Sequence, residues 1–219
     1  MSKDSLDTID AKLSEMLTNS MHIFDISMNC LLGDTNLDSV RDDLYSTDKA
    51  INELHREVRR EMIIHSAVNS RNLDIPLLLS YMTMSKDIER IGDYCKNLFE
   101  IAETGNTFVK GDDLDEYIEL RNDIGKLIVY LQSCLNLDDE AKVQDLITLG
   151  SSISSDLDGR ITSLLEKKEE AQYPVASTLF FRYLKRIVSH IVNALSLIHI
   201  SEPTRPRLIS YAVLCLKKK

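Results

Sequence analysis

Lys86-Asp87-Ile88-Glu89-Arg90-Ile91-Gly92-Asp93-Tyr94-Cys95-Lys96-Asn97-Leu98-Phe99-Glu100 decides the fold of this chain. At helical spacing, Ile88, Ile91, Cys95 and Leu98 make one apolar stripe, while Glu89, Asp93 and Asn97 stack a turn apart on a polar face. The segment reads as a helix that packs on one side and carries a ladder of carboxylates on the other. A ladder of this kind has two readings. It is a solvated face with Arg90 and Lys96 for counter-charge, or it is half of a metal site. Two carboxylates at i and i+4 can share a hard cation when a neighbouring helix adds oxygen ligands.

Working outward, the same periodicity continues. Leu77, Leu78, Tyr81, Met84 and Ala102 extend the buried stripe, Asp74 is placed to cap the helix and Pro76 to sit in its first turn. Upstream, a helix from about 7 to 32 buries Leu13, Met16, Leu17, Met21, Phe24 and Met28. Gly33-Asp34-Thr35-Asn36 closes it, Gly33 being expected as a left-handed cap. A second helix runs from about 37 to 68. Its histidines, His55 and His65, fall near the polar side and are read as solvent-facing or structural. Gly92, inside the ladder, costs about 1 kcal/mol relative to alanine, which a close helix contact at that point would explain.

Residues 104–113 form the clearest linker, and three further helices follow, at about 114–136, 139–168 and 174–194. With seven glycines, four prolines, no tryptophan and 28% charged residues, the fold class is all-α. Arg186-Ile187-Val188-Ser189-His190-Ile191-Val192-Asn193 echoes Arg90-Ile91-Gly92-Asp93-Tyr94-Cys95-Lys96-Asn97, with Arg-Ile and Asn at the same offsets. An internal duplication of about 95 residues follows, giving two tandem three-helix bundles over 1–104 and 112–194. The second copy lacks the ladder: Lys185 stands where the first has Glu89, and Ser189 where it has Asp93. Asp156 and Asp158 on the preceding helix are candidates for a remnant of it.

The formal charge of -9 withholds the basic patch that nucleic acid requires. No stretch approaches the length needed to span a bilayer and the first residues do not read as a signal peptide. A cytoplasmic protein with no direct membrane insertion is expected. Cys30, Cys95, Cys134 and Cys215 show no paired spacing and read as free thiols. Carboxylate-bridged metalloenzymes of the ferritin kind need Glu-x-x-His pairs, and none occurs. No glycine-rich phosphate loop or nucleophile motif is present either, so no enzymatic activity is expected. A helical scaffold without metal remains an alternative.

From Leu195 the chain changes character. Leu195-Ser196-Leu197-Ile198-His199-Ile200-Ser201-Glu202-Pro203-Thr204-Arg205 and Ile209-Ser210-Tyr211-Ala212-Val213-Leu214-Cys215-Leu216-Lys217-Lys218-Lys219 resemble the in-frame translation of sequencing-library adapter DNA, with three residues between. On that resemblance, 195–219 is set apart from the fold and the second bundle is expected to be truncated. The tail holds five basic residues and one acidic, so setting it aside moves the formal charge from -9 to -13.

The segment Met84-Ser85-Lys86-Asp87-Ile88-Glu89-Arg90-Ile91-Gly92-Asp93, continuing to Asn97, resembles the signature helix of the PhoU family of phosphate-uptake regulators. Its companion is Thr47-Asp48-Lys49-Ala50-Ile51-Asn52-Glu53-Leu54-His55-Arg56-Glu57-Val58, similar to the family's other acidic helix signature. Here Asn52 stands where the family usually has Asp, offering a carbonyl oxygen without the charge. The resemblance implies two three-helix repeats and a divalent or iron-type metal ion at Asp48, Asn52, Glu89 and Asp93. It also implies a non-enzymatic negative regulator of the phosphate response. That regulator would contact the phosphate ABC transporter's ATPase and a sensor histidine kinase, and lie peripheral to the inner face of the membrane through those partners. A homodimer is an expectation of the same kind.

Overall fold

The computed structural model describes residues 2–68, 73–109, 113–135, 140–166 and 173–201. It contains six helices among them: α1 (Ser2–Leu32), α2 (Leu37–Val68), α3 (Ile75–Glu103), α4 (Leu114–Cys134), α5 (Glu140–Glu166) and α6 (Tyr173–Ser201). The tip of the α2–α3 turn, residues 110–112 of the linker, and Cys215 with the rest of 202–219 lie outside the described residues.

The first three helices form one bundle. Every apolar residue assigned to the α3 stripe is buried, as are the α1 positions Leu13, Met16, Leu17, Phe24 and Met28, with Met21 at the edge. Asp74 caps α3 as expected, its Oδ1 accepting from the Leu77 N–H at 3.0 Å. A Cβ on Gly92 would stand 2.9 Å from Ile51 Cδ1 on α2 and 3.6 Å from Ser20 Oγ on α1. The glycine thus marks the close helix crossing its sequence position called for. One expectation is corrected: Gly33 is not left-handed, because Gly105, with φ of 83°, is the positive-φ glycine among the described residues. The α1–α2 turn is closed instead by Asn36, whose Oδ1 accepts from the Asp38 N–H at 2.9 Å.

The left-handed turn falls at the linker. Thr104 and Gly105 donate back to the last carbonyls of α3, and the chain then crosses to α1, where the Phe108 N–H donates to the Leu31 carbonyl at 2.8 Å. The Phe108 side chain is buried against Phe180 and Tyr117 of the second bundle, so the linker plugs the space between the two halves. α6 packs against both α5 and α3, and α4 against α1 and α6. α3 and α6 are thus the shared spine of the molecule. Beyond Ala194 the α6 stripe continues without interruption through buried Leu195 and Ile198, because the Leu-Ser-Leu-Ile spacing keeps the helical register whatever its origin. Cys30, Cys95 and Cys134 are buried and form no disulfide among the described residues.

Candidate functional site

The antiparallel crossing of α2 and α3 brings the ladder residues to one groove. Asp48 and Asn52 come from α2, Glu89 and Asp93 from α3. Lys96 Nζ reaches Asp48 Oδ2 at 3.1 Å and sets the register. Asn52 Nδ2 donates to the Asp48 carbonyl at 3.0 Å, leaving its own oxygen as the acceptor. Glu89, with a side chain only 11% exposed, has Lys86 Nζ at 2.6 Å and Arg90 Nε at 3.7 Å. Asp93 Oδ2 takes Arg90 Nη1 at 3.0 Å.

Burial and then the charge of Glu89 push the Asp93 carboxyl above its ordinary range, with Asp48 adding to the rise and Lys96 and Arg90 opposing it. His55 lies beside the same groove. It is buried and its imidazole is held below its usual range by loss of solvent, against a smaller opposing pull from Glu89. Its burial corrects the expectation that it lies near the polar side of α2, and of the two roles expected for it, solvent-facing or structural, it fits the structural one.

The donor set is the right chemistry for a hard cation, but this arrangement does not form a coordination shell. Each carboxylate already faces an ammonium or guanidinium group, and among the described residues no three acidic, histidine or cysteine side chains converge on one point. In the second bundle the counterpart is equally ion-paired. Lys185, at the position of Glu89, meets Asp158, and Asp156 is held by Arg160 Nε at 2.7 Å.

This geometry carries a prediction. Because the folded pKa of Asp93 is raised, the folded state binds its proton more readily than the unfolded chain does. The group therefore costs stability above that folded pKa, and the cost disappears as pH falls below the unfolded value. Asp93→Asn is expected to raise unfolding free energy at neutral pH by a few tenths up to about 1 kcal/mol, after loss of the Arg90 pair, with the gain fading at acid pH. Thermal melts at pH 7 and pH 3.5 check this. Destabilisation at pH 7 would mean that a positive charge stronger than Arg90 and Lys96 resides there.

Two residues with a role at the joint escaped the sequence reading. His190 Nδ1 on α6 lies 2.8 Å from Asp87 Oδ1 on α3, both side chains being largely buried. The imidazole also stacks on Tyr94 with ring centroids 5.7 Å apart. The signal was present: Asp87 falls in the apolar series Met84, Ile88, Ile91, where a carboxylate needs a partner.

The fold is that of an all-α protein built from two three-helix bundles, with a charged groove between the second and third helices. Residues 13–102 match the PhoU domain, so the first bundle is similar to that family's domain. It is 34% identical over 71 residues to the phosphate-specific transport system accessory protein PhoU of Serratia marcescens. It is 32% identical over 74 residues to the PhoU homolog 1 of Thermotoga maritima. These segments make up 32% and 31% of this chain, and 27% and 31% of the respective relatives. The crystal structure of PhoU from Pseudomonas aeruginosa superposes with a TM-score of 0.76, covering 93% of this chain and 99% of that one at 17% identity. That likeness establishes the fold beyond the matched domain.

Proposed function

We propose that the chain regulates phosphate uptake and phosphate-responsive signalling through protein contacts with a phosphate transporter's ATPase and a sensor histidine kinase, without catalysing a reaction itself. The observation that carries this reading is the PhoU-domain match over 13–102, which contains the whole α2–α3 groove. The names of the relatives, both accessory proteins of phosphate-specific transport, support the transporter as the partner. Long helices with polar outer faces suit docking. A homodimer belongs to the same proposal.

For the groove, the ion pairs favour a second form of the reading, a metal-free scaffold in which Lys86, Arg90 and Lys96 neutralise the carboxylates. The family resemblance favours a metal ion at Asp48, Asn52, Glu89 and Asp93. Elemental analysis after dialysis separates the two: metal kept by the parent chain and lost from Glu89→Gln/Asp93→Asn would place the ion in the groove.

The regulatory reading is tested in a bacterial host whose own accessory regulator has been deleted. Expression of this chain is expected to restore repression of a phosphate-responsive reporter in phosphate-rich medium. A reporter that stays fully on while the protein accumulates in folded form would contradict the proposal.

A further inference from the structure

On the polar face of α3, Lys96 rather than Asn97 completes the ladder begun by Glu89 and Asp93. Relative to Glu89, helical geometry puts Lys96 about 20° to one side and Asp93 about 40° to the other, whereas Asn97 falls about 80° away. Asn97 lines the opening between α3 and α6 together with Tyr183 and Val175. Lys96 turns to α2 instead, its Nζ 3.1 Å from Asp48 Oδ2.

The ion pairs of this groove are of two kinds. Lys86 with Glu89 and Arg90 with Asp93 are i,i+3 pairs within α3, and both cations are 45% exposed. Pairs so placed contribute little. The Lys96–Asp48 pair crosses from α3 to α2, with side chains only 23% and 14% exposed. The charges of Lys96 and Asp48 both act on the Asp93 carboxyl as well, so one ammonium is shared between the acid of α2 and an acid of α3. Holding carboxylates of two helices together is the task that the family resemblance gives to a metal ion.

The charge count agrees with an ammonium in that place. Asp48, Glu89 and Asp93 are balanced by Lys86, Arg90 and Lys96. An ammonium carries one charge where a divalent ion carries two, so it needs one carboxylate fewer. Asn52 supplies that difference, standing where the family usually has Asp. Its amide is engaged within α2, donating to the Asp48 carbonyl at 3.0 Å.

The second bundle reaches the same arrangement with other residues. Lys185 on α6 meets Asp158 on α5, so in each bundle a lysine of the third helix binds an aspartate of the second. The positions differ, since Lys185 aligns with Glu89 and Val192 with Lys96. The geometry of the contact is what the two halves share.

We infer that Lys96 is the resident cation of the first bundle, its ammonium joining α3 to α2 through Asp48 in the place where the family resemblance implies a metal ion, and that Lys185 joins α6 to α5 in the same way. The inference rests on the metal-free form of the reading above and is independent of the regulatory role.

The test is thermal unfolding and calorimetric titration of the full chain with manganese(II), for the parent and for Lys96→Gln, Asp48→Asn/Lys96→Gln and Lys96→Arg. The melting temperature of the parent is expected to be the same in chelator and in about 1 mM manganese, because an ammonium already at the carboxylates repels a second cation. Lys96→Gln should melt about 2–4 °C lower in chelator. Loss of a unit charge at ion-pair distance should let it bind manganese at least about tenfold more tightly than the parent, with the lost stability returning as the metal binds. The double variant should lose that recovery, and Lys96→Arg should behave as the parent does. Stabilisation of the parent by manganese would overturn the inference and the metal-free form together. A Lys96→Gln variant that melts with the parent, or that gains no affinity for manganese, would overturn the inference and leave the metal-free form standing. If Lys96→Gln does not fold, Lys96→Arg decides: stabilisation of it by manganese would overturn the inference, and indifference to manganese in a folded chain would support it.

Discussion

Replacing His190 with leucine is expected to cost about 1–3 kcal/mol of unfolding free energy, the range for leaving a buried hydrogen-bonding group without its partner. Asp87 is the reason. Its side chain is 11% exposed, its Oδ1 has His190 Nδ1 at 2.8 Å, and its Oδ2 has no hydrogen-bond partner among the described residues. Without the imidazole the whole carboxylate is buried and unanswered at the contact between α3 and α6. The double change Asp87→Leu/His190→Leu removes the stranded charge with its partner, so most of the loss should return. Urea denaturation of the two single variants and the double variant measures the coupling. A loss below about 1 kcal/mol in His190→Leu, or a double variant whose losses simply add, would show that the pair does not hold the halves together.

Phe180→Ala should be more severe, at about 3–5 kcal/mol. Phe180 is fully buried where three pieces of chain meet. Its ring centroid lies 4.9 Å from that of Phe108 in the linker, 5.4 Å from Tyr117 on α4 and 5.4 Å from Phe181 beside it. Truncation would remove the transfer energy of a large ring, open a cavity and end the ring contacts, each of which adds about 0.5–1.5 kcal/mol beyond area. Phe108 would lose its main neighbour while its N–H still donates to Leu31, so protease cleavage in 104–109 should accelerate. Equilibrium unfolding with an unchanged denaturant slope checks the energy. A loss under about 1 kcal/mol, with the linker still protected, would contradict this packing.

Much of the fold was legible because helical spacing writes burial directly into sequence. The α2 limits of 37–68 are those observed, and Asp74 and Gly92 do what their chemistry indicated. Gly33 misled because a helix can close through a polar cap one turn later, and the left-handed turn went to Gly105. At the groove, residue types were legible but pairing was not. Whether Glu89 and Asp93 face a metal ion, solvent or Lys86 and Arg90 depends on rotamers and on the register between α2 and α3, which no spacing within one helix contains. His190 was recognised as part of a repeat, yet its partner Asp87 lies 103 residues away. Only the α3–α6 contact joins them.

The proposed regulation of phosphate uptake requires contact between this chain and the transporter. The most direct measurement is calorimetric titration of the folded chain with the ATPase subunit of the phosphate transporter from the same cell. Saturable binding with defined stoichiometry is expected. No heat or complex at concentrations well above the micromolar range, with both proteins folded and the ATPase active, would contradict it.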